Sequence, residues 1–304
     1  MGTGRIGFTL GFDKKREQPA SHTMAVKKNK RIRFIAGCDK DENILNQWHK
    51  YNPKTEIFTD LSRLLANTKP DIFIIAVNED AHMETAIQII RSKPSLVILE
   101  KPVALNIEQA MKIVDESVKY NVPVMVNHER RFAADYNLAK SYMKLIGDLQ
   151  SIHAVLSSGM KVYSSKDEDN GEYSLLHDGT HLVDIIQFLL EKTPENGGKP
   201  KECILSNPVI SGIHIDKGDK NIIRNVSAHF SCPECSQITM EFSGRSKYFG
   251  FEIDIRGTEG RIKIGNGFAK VYLREESKLY SGFYSLTEMK DINFLVRFYN
   301  ISQI

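Results

Sequence analysis

Short, almost continuous apolar runs alternate with amphipathic stretches in the first half of this 304-residue chain. An apolar run without polar alternation is typical of a strand that is covered on both faces. Residues 106–120 lie between two such runs and have helical spacing, with Asn106 as the predicted N-cap. The alternation predicts a parallel sheet with helices on both sides. The predicted strands lie within residues 33–39, 71–77, 95–102 and 122–127.

After Asn127 the pattern changes to an alternation of apolar and polar residues with period two. This period is typical of antiparallel strands that have one buried face, and it is clear in residues 238–242 and 249–255. A helix with one apolar face is predicted before these strands. We therefore predict an α/β chain with two domains, residues 1–127 with the doubly wound parallel sheet and residues 128–304 with an open, mainly antiparallel sheet. The apolar helix face is formed by Leu182, Ile185, Ile186 and Leu189.

Charge and hydropathy argue against binding to nucleic acids or membranes. The 41 basic and 38 acidic residues give a net charge of +3 without a concentrated basic face. The densest basic run, residues 27–33, leads into an apolar strand and is interpreted as a solvated helix end. No apolar stretch approaches the roughly 20 residues of a membrane span, and no leader pattern is visible, so we expect a cytoplasmic protein.

Four cysteines are too few to predict a disulfide framework in a chain of this length. Cys232 and Cys235 have the spacing of half a zinc site. A structural zinc ion takes four ligands, and no second pair is present. The interpretation as a hairpin turn is favoured, and no metal site is predicted.

The stretch GTGRIG has glycines at positions 2, 4 and 7 with Arg5 and Ile6 between them, which is the G-x-G-x-x-G spacing. In a dinucleotide site the first glycine allows a tight turn, the second lets backbone amides approach the pyrophosphate, and the third allows close packing of helix and strand. The alternative is an ordinary glycine-rich turn. We expect Gly2, Gly4, Arg5, Ile6 and Gly7 to contact a dinucleotide.

Asp39 supports the nucleotide interpretation because it ends the next apolar run, where a carboxylate can accept hydrogen bonds from the adenosine ribose. The separation from the last glycine is 39 − 7 = 32 residues, whereas about 20 is usual. The surplus is assigned to a polar insertion in residues 8–21. A carboxylate at this position repels a 2′-phosphate, so we expect NAD rather than NADP.

The ordered motifs GTGRIG, GCDKD, AVNEDAH, LEKPVAL, VNHERRF and HDGTHLVD resemble those of the Gfo/Idh/MocA oxidoreductases, the relatives of glucose-fructose oxidoreductase and inositol dehydrogenase. The resemblance extends from Gly2 to about Gly265. It implies a Rossmann domain, a second α/β domain, and a cleft in which NAD(P) meets a sugar or cyclitol. Family members have a strand before the glycine turn and a longer C-terminal tail, so we expect a missing first strand and an incomplete C-terminus. A missing central strand would leave its two neighbours without ladder partners, and we expect the chain as given to bind NAD poorly.

Glu100 and Lys101 follow a predicted parallel strand at its carboxyl end, where open α/β sheets place ligands. The resemblance implies that Lys101 bonds to the reacting hydroxyl group and helps to move its proton. The alternative for Lys101 is a surface lysine before a turn-forming proline. Asn78, His82 and Asn127 occupy further positions at which the resemblance implies contact with the cofactor or substrate.

His181 lies near the start of the apolar helix, in HDGTH. The resemblance implies a catalytic histidine here, with a carboxylate four positions earlier. His177 occupies that earlier position, and Asp178 lies three positions before His181. We expect His181 to transfer the proton of the reacting hydroxyl group, Asp178 to orient His181, and His177 to affect substrate choice. The alternative is that both histidines are helix-capping or structural residues.

These observations predict an NAD-dependent oxidoreductase that transfers hydride between nicotinamide and a hydroxyl-bearing carbon of a sugar, cyclitol or related polyol. A non-catalytic NAD-binding regulator and an NAD-assisted glycoside hydrolase remain as alternatives. The one-sided sheet of the second domain predicts a homodimer or homotetramer.

Overall fold

A computed structural model describes residues 1–16, 18–158, 173–192, 200–215, 217–218, 220 and 223–290. The described chain divides into two compact units, Met1–Glu129 and a second unit that begins at Arg130. No described helix combines the length and the apolar character that a membrane span requires.

The first unit alternates α-helices with short parallel strands, as the sequence predicts. Strand β1 pairs with β2, and β4 lies between β3 and β5. Each of the four predicted apolar runs contains a strand, and β2 is a strand that the sequence analysis left out. The helices are α1 (His22–Lys28), α2 (Glu42–Tyr51), α3 (Leu61–Asn67), α4 (His82–Arg91) and α5 (Ile107–Tyr120). The strands are β1 (Ala36–Cys38), β2 (Glu56–Phe58), β3 (Ile72–Ile75), β4 (Leu96–Leu99) and β5 (Val124–Val126).

Met1 and Gly2 hydrogen-bond to both groups of strands. The Met1 amino group donates to the Ile74 carbonyl at 2.8 Å, and the Met1 carbonyl accepts from the Ala76 amide at 2.8 Å. On the other side, the Gly2 amide donates to the Cys38 carbonyl at 2.9 Å. We expected the strands on either side of the missing first strand to lack ladder partners. These three hydrogen bonds show that this expectation is wrong at Ile74, Ala76 and Cys38.

Helix α5 begins as predicted, because the Asn106 side chain accepts a hydrogen bond from the Gln109 amide at 2.9 Å. Its buried apolar side chain is Ile113, which packs in the core of the first unit. The side chains that gave the helix its apolar periodicity are instead exposed to solvent. They are Ile107, Met111, Val114 and Val118.

The second unit contains an eight-stranded sheet and helices α6 (Ala134–Tyr142) and α7 (Gly179–Leu190). The strand order is β13-β12-β11-β10-β6-β9-β8-β7, and neighbouring strands are antiparallel except for β6 and β9. This confirms the predicted open, mainly antiparallel sheet. The strands are β6 (Leu149–Ser157), β7 (Ser206–Ile215), β8 (Ile223–Cys232), β9 (Cys235–Ser243), β10 (Gly250–Gly257), β11 (Gly260–Gly265), β12 (Phe268–Glu276) and β13 (Tyr284–Glu288).

The predicted apolar face of α7 packs in the core of this unit, together with the inward-facing side chains of the central strands. Burial of such a face supplies most of the stability of an amphipathic helix. Phe251, Ile253 and Ile255 of β10 are buried, as their alternation predicts. The alternation over residues 249–255 also predicts that Phe249 shares this buried face, but Phe249 precedes the strand and is 49% exposed, so that part of the prediction is wrong.

Candidate active site

The glycine turn of the first unit has two tight positions and one open position. Gly2 has a φ of +78°, and a Cβ there would lie 2.2 Å from the Ala76 carbonyl oxygen. A Cβ on Gly7 would lie 2.2 Å from the Gly2 carbonyl oxygen. No atom lies within 4 Å of the place where a Cβ of Gly4 would be. The turn therefore requires glycine at two positions for its own packing and leaves Gly4 open, which fits the close approach of a phosphate group.

A polar insertion separates this turn from the helix that follows it. The His22 and Thr23 amides donate to the Ile6 and Gly7 carbonyls at 3.1 and 3.0 Å, and Ser21 caps the start of α1. The Thr23 hydroxyl also donates to the Gly7 carbonyl at 2.6 Å. The chain thus leaves after Gly7 and returns to the Ile6 and Gly7 carbonyls at α1, an arrangement that is consistent with an insertion in residues 8–21.

The carboxylate of Asp39 holds the glycine turn against the end of β1. Its Oδ2 accepts hydrogen bonds from the Thr3 amide at 2.7 Å and the Thr3 hydroxyl at 3.2 Å. Its Oδ1 accepts from the Asp41 amide at 3.0 Å. Asp39 is only partly buried, so it combines a structural role in the turn with a partly accessible carboxylate.

Glu100 is a buried carboxylate at the carboxyl end of β4. Its Oε1 accepts hydrogen bonds from His22 Nε2 at 2.7 Å and from Asn127 Nδ2 at 2.6 Å. All three side chains are less than 10% exposed. The sequence motifs that contain Glu100 and Asn127 therefore meet in one hydrogen-bonded cluster, which also includes His22.

The cluster keeps Glu100 negatively charged. Burial acts to raise the pKa of Glu100, but hydrogen bonds and positive charge from His22, the Asn127 hydrogen bond and the Lys101 charge outweigh it. The pKa of Glu100 therefore lies below its ordinary value. Lys101, the next residue, is partly buried and follows β4 directly, so an anion lies beside the lysine at the ligand-binding edge of a parallel sheet.

His82 joins two loops at this edge and is almost fully buried. Its Nδ1 lies 2.7 Å from the Pro102 carbonyl oxygen, and its Nε2 lies 3.1 Å from the Val77 carbonyl oxygen. Both ring nitrogens thus contact backbone carbonyls, so the contribution of His82 is to hold the turn after Lys101. Asn78, which is exposed, begins the short helical turn before α4.

The predicted catalytic residues of the second unit lie where a π-helical turn, Tyr173–Asp178, passes into α7. Asp178 accepts a hydrogen bond on Oδ2 from the Ser158 hydroxyl at 3.0 Å, and its Oδ1 lies 3.2 Å from His177 Nδ1. A π-helical turn changes the angular spacing of side chains, and such turns are frequent at functional sites. The structure thus brings Asp178 and His177 together and adds Ser158, from the end of β6.

His181 is buried in the first turn of α7. An ion-pair network fixes this helix: Arg131 donates to Asp184 at 2.9 Å and to Glu191 at 2.6 Å. Lys140 on α6 also donates to Glu191, at 3.4 Å. These ion pairs orient the helix that carries His181.

Three residues of these clusters were missed in the sequence. His22 lies in the helix after an insertion, and no spacing rule links it to Glu100. Ser158 and Thr3 are small polar residues of kinds that are common in loops and turns. The one local signal was Ser21, a helix N-cap residue that marks where α1 begins and therefore places His22 in its first turn.

Comparison with known proteins gives a family model and several distant relatives. Residues 11–128 match a model described as an oxidoreductase family with an NAD-binding Rossmann fold. The chain is 24% identical over 244 residues to 2,7-anhydro-N-acetylneuraminate hydratase of Escherichia coli. That match covers 78% of this chain and 61% of the hydratase, so the chain spans less than two thirds of this curated relative.

Solved structures share the fold at low sequence identity. An oxidoreductase from Agrobacterium radiobacter, in complex with NAD⁺, L-tartaric acid and magnesium, matches with a TM-score of 0.69 and 19% identity. The match covers 87% of this chain and 74% of that one. The dehydrogenase WlbA from Bordetella pertussis, in complex with NADH and UDP-GlcNAcA, matches with a TM-score of 0.65 and 17% identity, covering 79% and 68%. These similarities show that the fold is shared.

Proposed function

We infer that this chain is a member of the Gfo/Idh/MocA oxidoreductases, whose NAD-binding family model matches residues 11–128, and on that premise we propose that it is an NAD-dependent oxidoreductase. Its substrate is a sugar, cyclitol or related polyol that carries a hydroxyl group on the reacting carbon. The relatives support a carbohydrate-like substrate, because one is named for an anhydro sugar acid and a structural neighbour holds a nucleotide sugar acid.

The observation that carries the proposal is the glycine turn, with Gly2 and Gly7 tightly packed and Gly4 open. Gly2, Gly4, Arg5, Ile6 and Gly7 would hold the pyrophosphate. Asp39 would accept hydrogen bonds from the adenosine ribose, and Asn78 and Asn127 would line the nicotinamide end. A bound nicotinamide would supply the hydride exchange.

The residues of this chain would handle the hydroxyl proton. Lys101 follows β4 beside the charged Glu100, and we assign it to the reacting hydroxyl group together with His181. Asp178, which accepts a hydrogen bond from Ser158, would orient His181. Glu100, His22 and His82 are assigned to positioning, since each contacts backbone or buried side chains around Lys101.

A turnover screen tests the proposal. The chain is incubated with NAD and a panel of polyols and sugars, and NADH is followed by absorbance. Lys101→Gln should abolish turnover, whereas Lys112→Gln, an exposed lysine on α5, should leave it unchanged. If the Lys101 variant turns over normally, the catalytic assignment is wrong. If the chain binds NAD and a sugar without turnover, and Lys101→Gln keeps both affinities, the regulator is favoured.

A reaction without net oxidation is the second candidate, because the E. coli relative is named a hydratase. The NAD-assisted glycoside hydrolase belongs to the same class, in which the cofactor returns to its starting state. Product analysis by mass spectrometry separates the two cases. Product without accumulated NADH favours the second candidate, and equal amounts of NADH and oxidised product favour the first.

The second unit also supports a homodimer or homotetramer. Strand β7, at one edge of the sheet, exposes Val209, Ile210 and Ile213, and exposed apolar side chains on a sheet favour association. Light scattering at micromolar concentration measures the assembly, and a monomer contradicts it.

The four free cysteines suit a reducing compartment, and we propose a cytoplasmic location.

A further inference from the structure

Three potential metal ligands lie together beside the turn between β8 and β9. Cys203 precedes β7, Cys232 ends β8, and Glu234 lies in the two-residue turn that follows. Their two sulfur atoms and one carboxylate oxygen all lie within 4.8 Å of one another. The Cys203 sulfur is 3.7 Å from Oε2 of Glu234. The cluster therefore joins two segments of chain that are 232 − 203 = 29 residues apart.

This donor set suits a zinc-like ion. Two thiolates and a carboxylate around a tetrahedral zinc ion, with bonds of about 2.3 and 2.0–2.2 Å, place the ligand atoms about 3.5–3.8 Å apart. The cluster reaches that spacing if the ligand atoms move by about 1 Å or less. Thiolate ligands also select zinc-class ions over magnesium or calcium.

Charge balance also favours an ion at this place. With both thiols deprotonated the three ligands carry three negative charges, which a divalent cation reduces to one. Lys192 Nζ lies 3.2 Å from Oε1 of Glu234 and supplies the remaining positive charge. Because Lys192 faces one carboxylate oxygen and Cys203 faces the other, Glu234 can keep its lysine contact while Oε2 binds the ion.

We propose that Cys203, Cys232 and Glu234 bind one zinc-class divalent ion, with a fourth position open to water. The sequence favoured a plain hairpin turn because the second ligand pair was missing. Cys232 and Cys235 do flank the hairpin turn between β8 and β9, and Cys232 also lies beside Cys203 and Glu234. Cys235 directs its sulfur to the Gln237 carbonyl at 3.4 Å. The bound ion would fasten the segment before β7 to the β8–β9 turn.

Metal titration of the full chain tests the site. Metal-free protein is titrated with Co²⁺ and Zn²⁺, and bound zinc is counted by elemental analysis after gel filtration. We expect one ion per chain, and for Co²⁺ the near-ultraviolet thiolate charge-transfer band together with the strong visible bands of tetrahedral coordination. Failure to bind either ion at micromolar concentration overturns the proposal.

Variants identify the ligands. Cys203→Ser and Cys232→Ser should each weaken binding by roughly 100-fold or more, and Lys192→Ala by about 10-fold, as for loss of an outer-shell partner. Cys235→Ser is the matched control, a buried cysteine in the same hairpin, and should bind as the native chain does. Equal loss in this control overturns the ligand assignment.

Glu234→Gln keeps the test decisive if the serine variants do not fold, because the Glu234 side chain is partly exposed. It should weaken binding by about 10-fold or more and shift the cobalt spectrum, and an unchanged spectrum contradicts its role. Peptide mapping that finds Cys203 joined to Cys232 in a disulfide overturns the metal site in favour of a covalent link.

Discussion

Nε2 of His22 lies 2.7 Å from Oε1 of Glu100, although 78 residues separate the two in the chain. Both side chains are buried, and the Asn127 amide donates to the same oxygen. A buried carboxylate is stable only when it is paired and hydrogen-bonded. This contact therefore fixes α1, which follows the glycine turn, to the strand end that carries Lys101.

Removal of His22 should destabilise the first unit. His22→Ala leaves Glu100 buried with fewer hydrogen bonds, and loss of one partner of a buried pair typically costs about 3–5 kcal/mol. Urea unfolding of the native chain and the variant measures the change in free energy. The double variant His22→Ala/Glu100→Ala should recover part of the loss, and a cost below about 0.5 kcal/mol for His22→Ala contradicts this account.

The stability supplied by Glu100 should depend on pH in one direction. Its pKa in the folded chain lies below the ordinary value, which is about 4.3. The carboxylate therefore contributes stability above about pH 4.3, and this contribution is lost as the pH falls through the lower, folded-state pKa. The stability difference between the native chain and Glu100→Gln, measured by urea unfolding at several pH values, should shrink on acidification. A difference that grows as the pH falls contradicts the assigned sign.

Asp39 should make the chain prefer NAD over NADP. A carboxylate repels the 2′-phosphate, and a preference of about 1.4 kcal/mol or more corresponds to a tenfold ratio of Kd values. Calorimetric titration of both cofactors measures the ratio. Asp39→Asn should reduce it, and Asp115→Asn, an exposed carboxylate change on α5, should not. Equal affinities for NAD and NADP in the native chain would contradict the placement of Asp39 at the adenosine ribose. The neighbouring Lys40 would then be the expected cause of the equal affinities.

The residues around the π-helical turn should differ in their effect on turnover. His181→Ala should remove activity, because we assign the transfer of the hydroxyl proton to this side chain. Asp178→Asn should reduce activity moderately, since its contacts with Ser158 and His177 orient the turn. His177→Ala should mainly change the ratio of kcat/KM values between substrates. His153→Ala, an exposed histidine on β6, is the control. If His181→Ala stays active while His177→Ala does not, the two histidines exchange roles.

The ion pairs of Arg131 should matter more than those at the surface. Arg131 contacts Asp184 and Glu191 and is only 30% exposed, whereas Arg91 pairs with Glu116 and is 54% exposed. We expect Arg131→Ala to lower the free energy of unfolding by about 1–3 kcal/mol and Arg91→Ala to lower it by a smaller amount. Urea unfolding measures both variants. Equal losses would show that the partial burial of Arg131 and its second carboxylate partner do not add to the free energy of unfolding.

The sequence by itself determined most of the strands of the first unit and the apolar helix face of the second unit. Apolar runs and helical spacing report burial along one segment, so they predicted β1, β3, β4 and β5 and the buried face of α7. The glycine spacing likewise reflects a local backbone requirement, the φ of +78° at Gly2, and the apolar run of β4 places Lys101 directly after a strand.

Only the tertiary structure decided which side chains meet. His22 reaches Glu100, Ser158 reaches Asp178, and Cys203 reaches Cys232, and no local pattern links the members of any pair. Periodicity records whether a position is buried, but it does not record the partner across the core. The partner depends on where an insertion returns the chain, on strand order and on the register of the sheet, and each of these is fixed by packing of the whole unit.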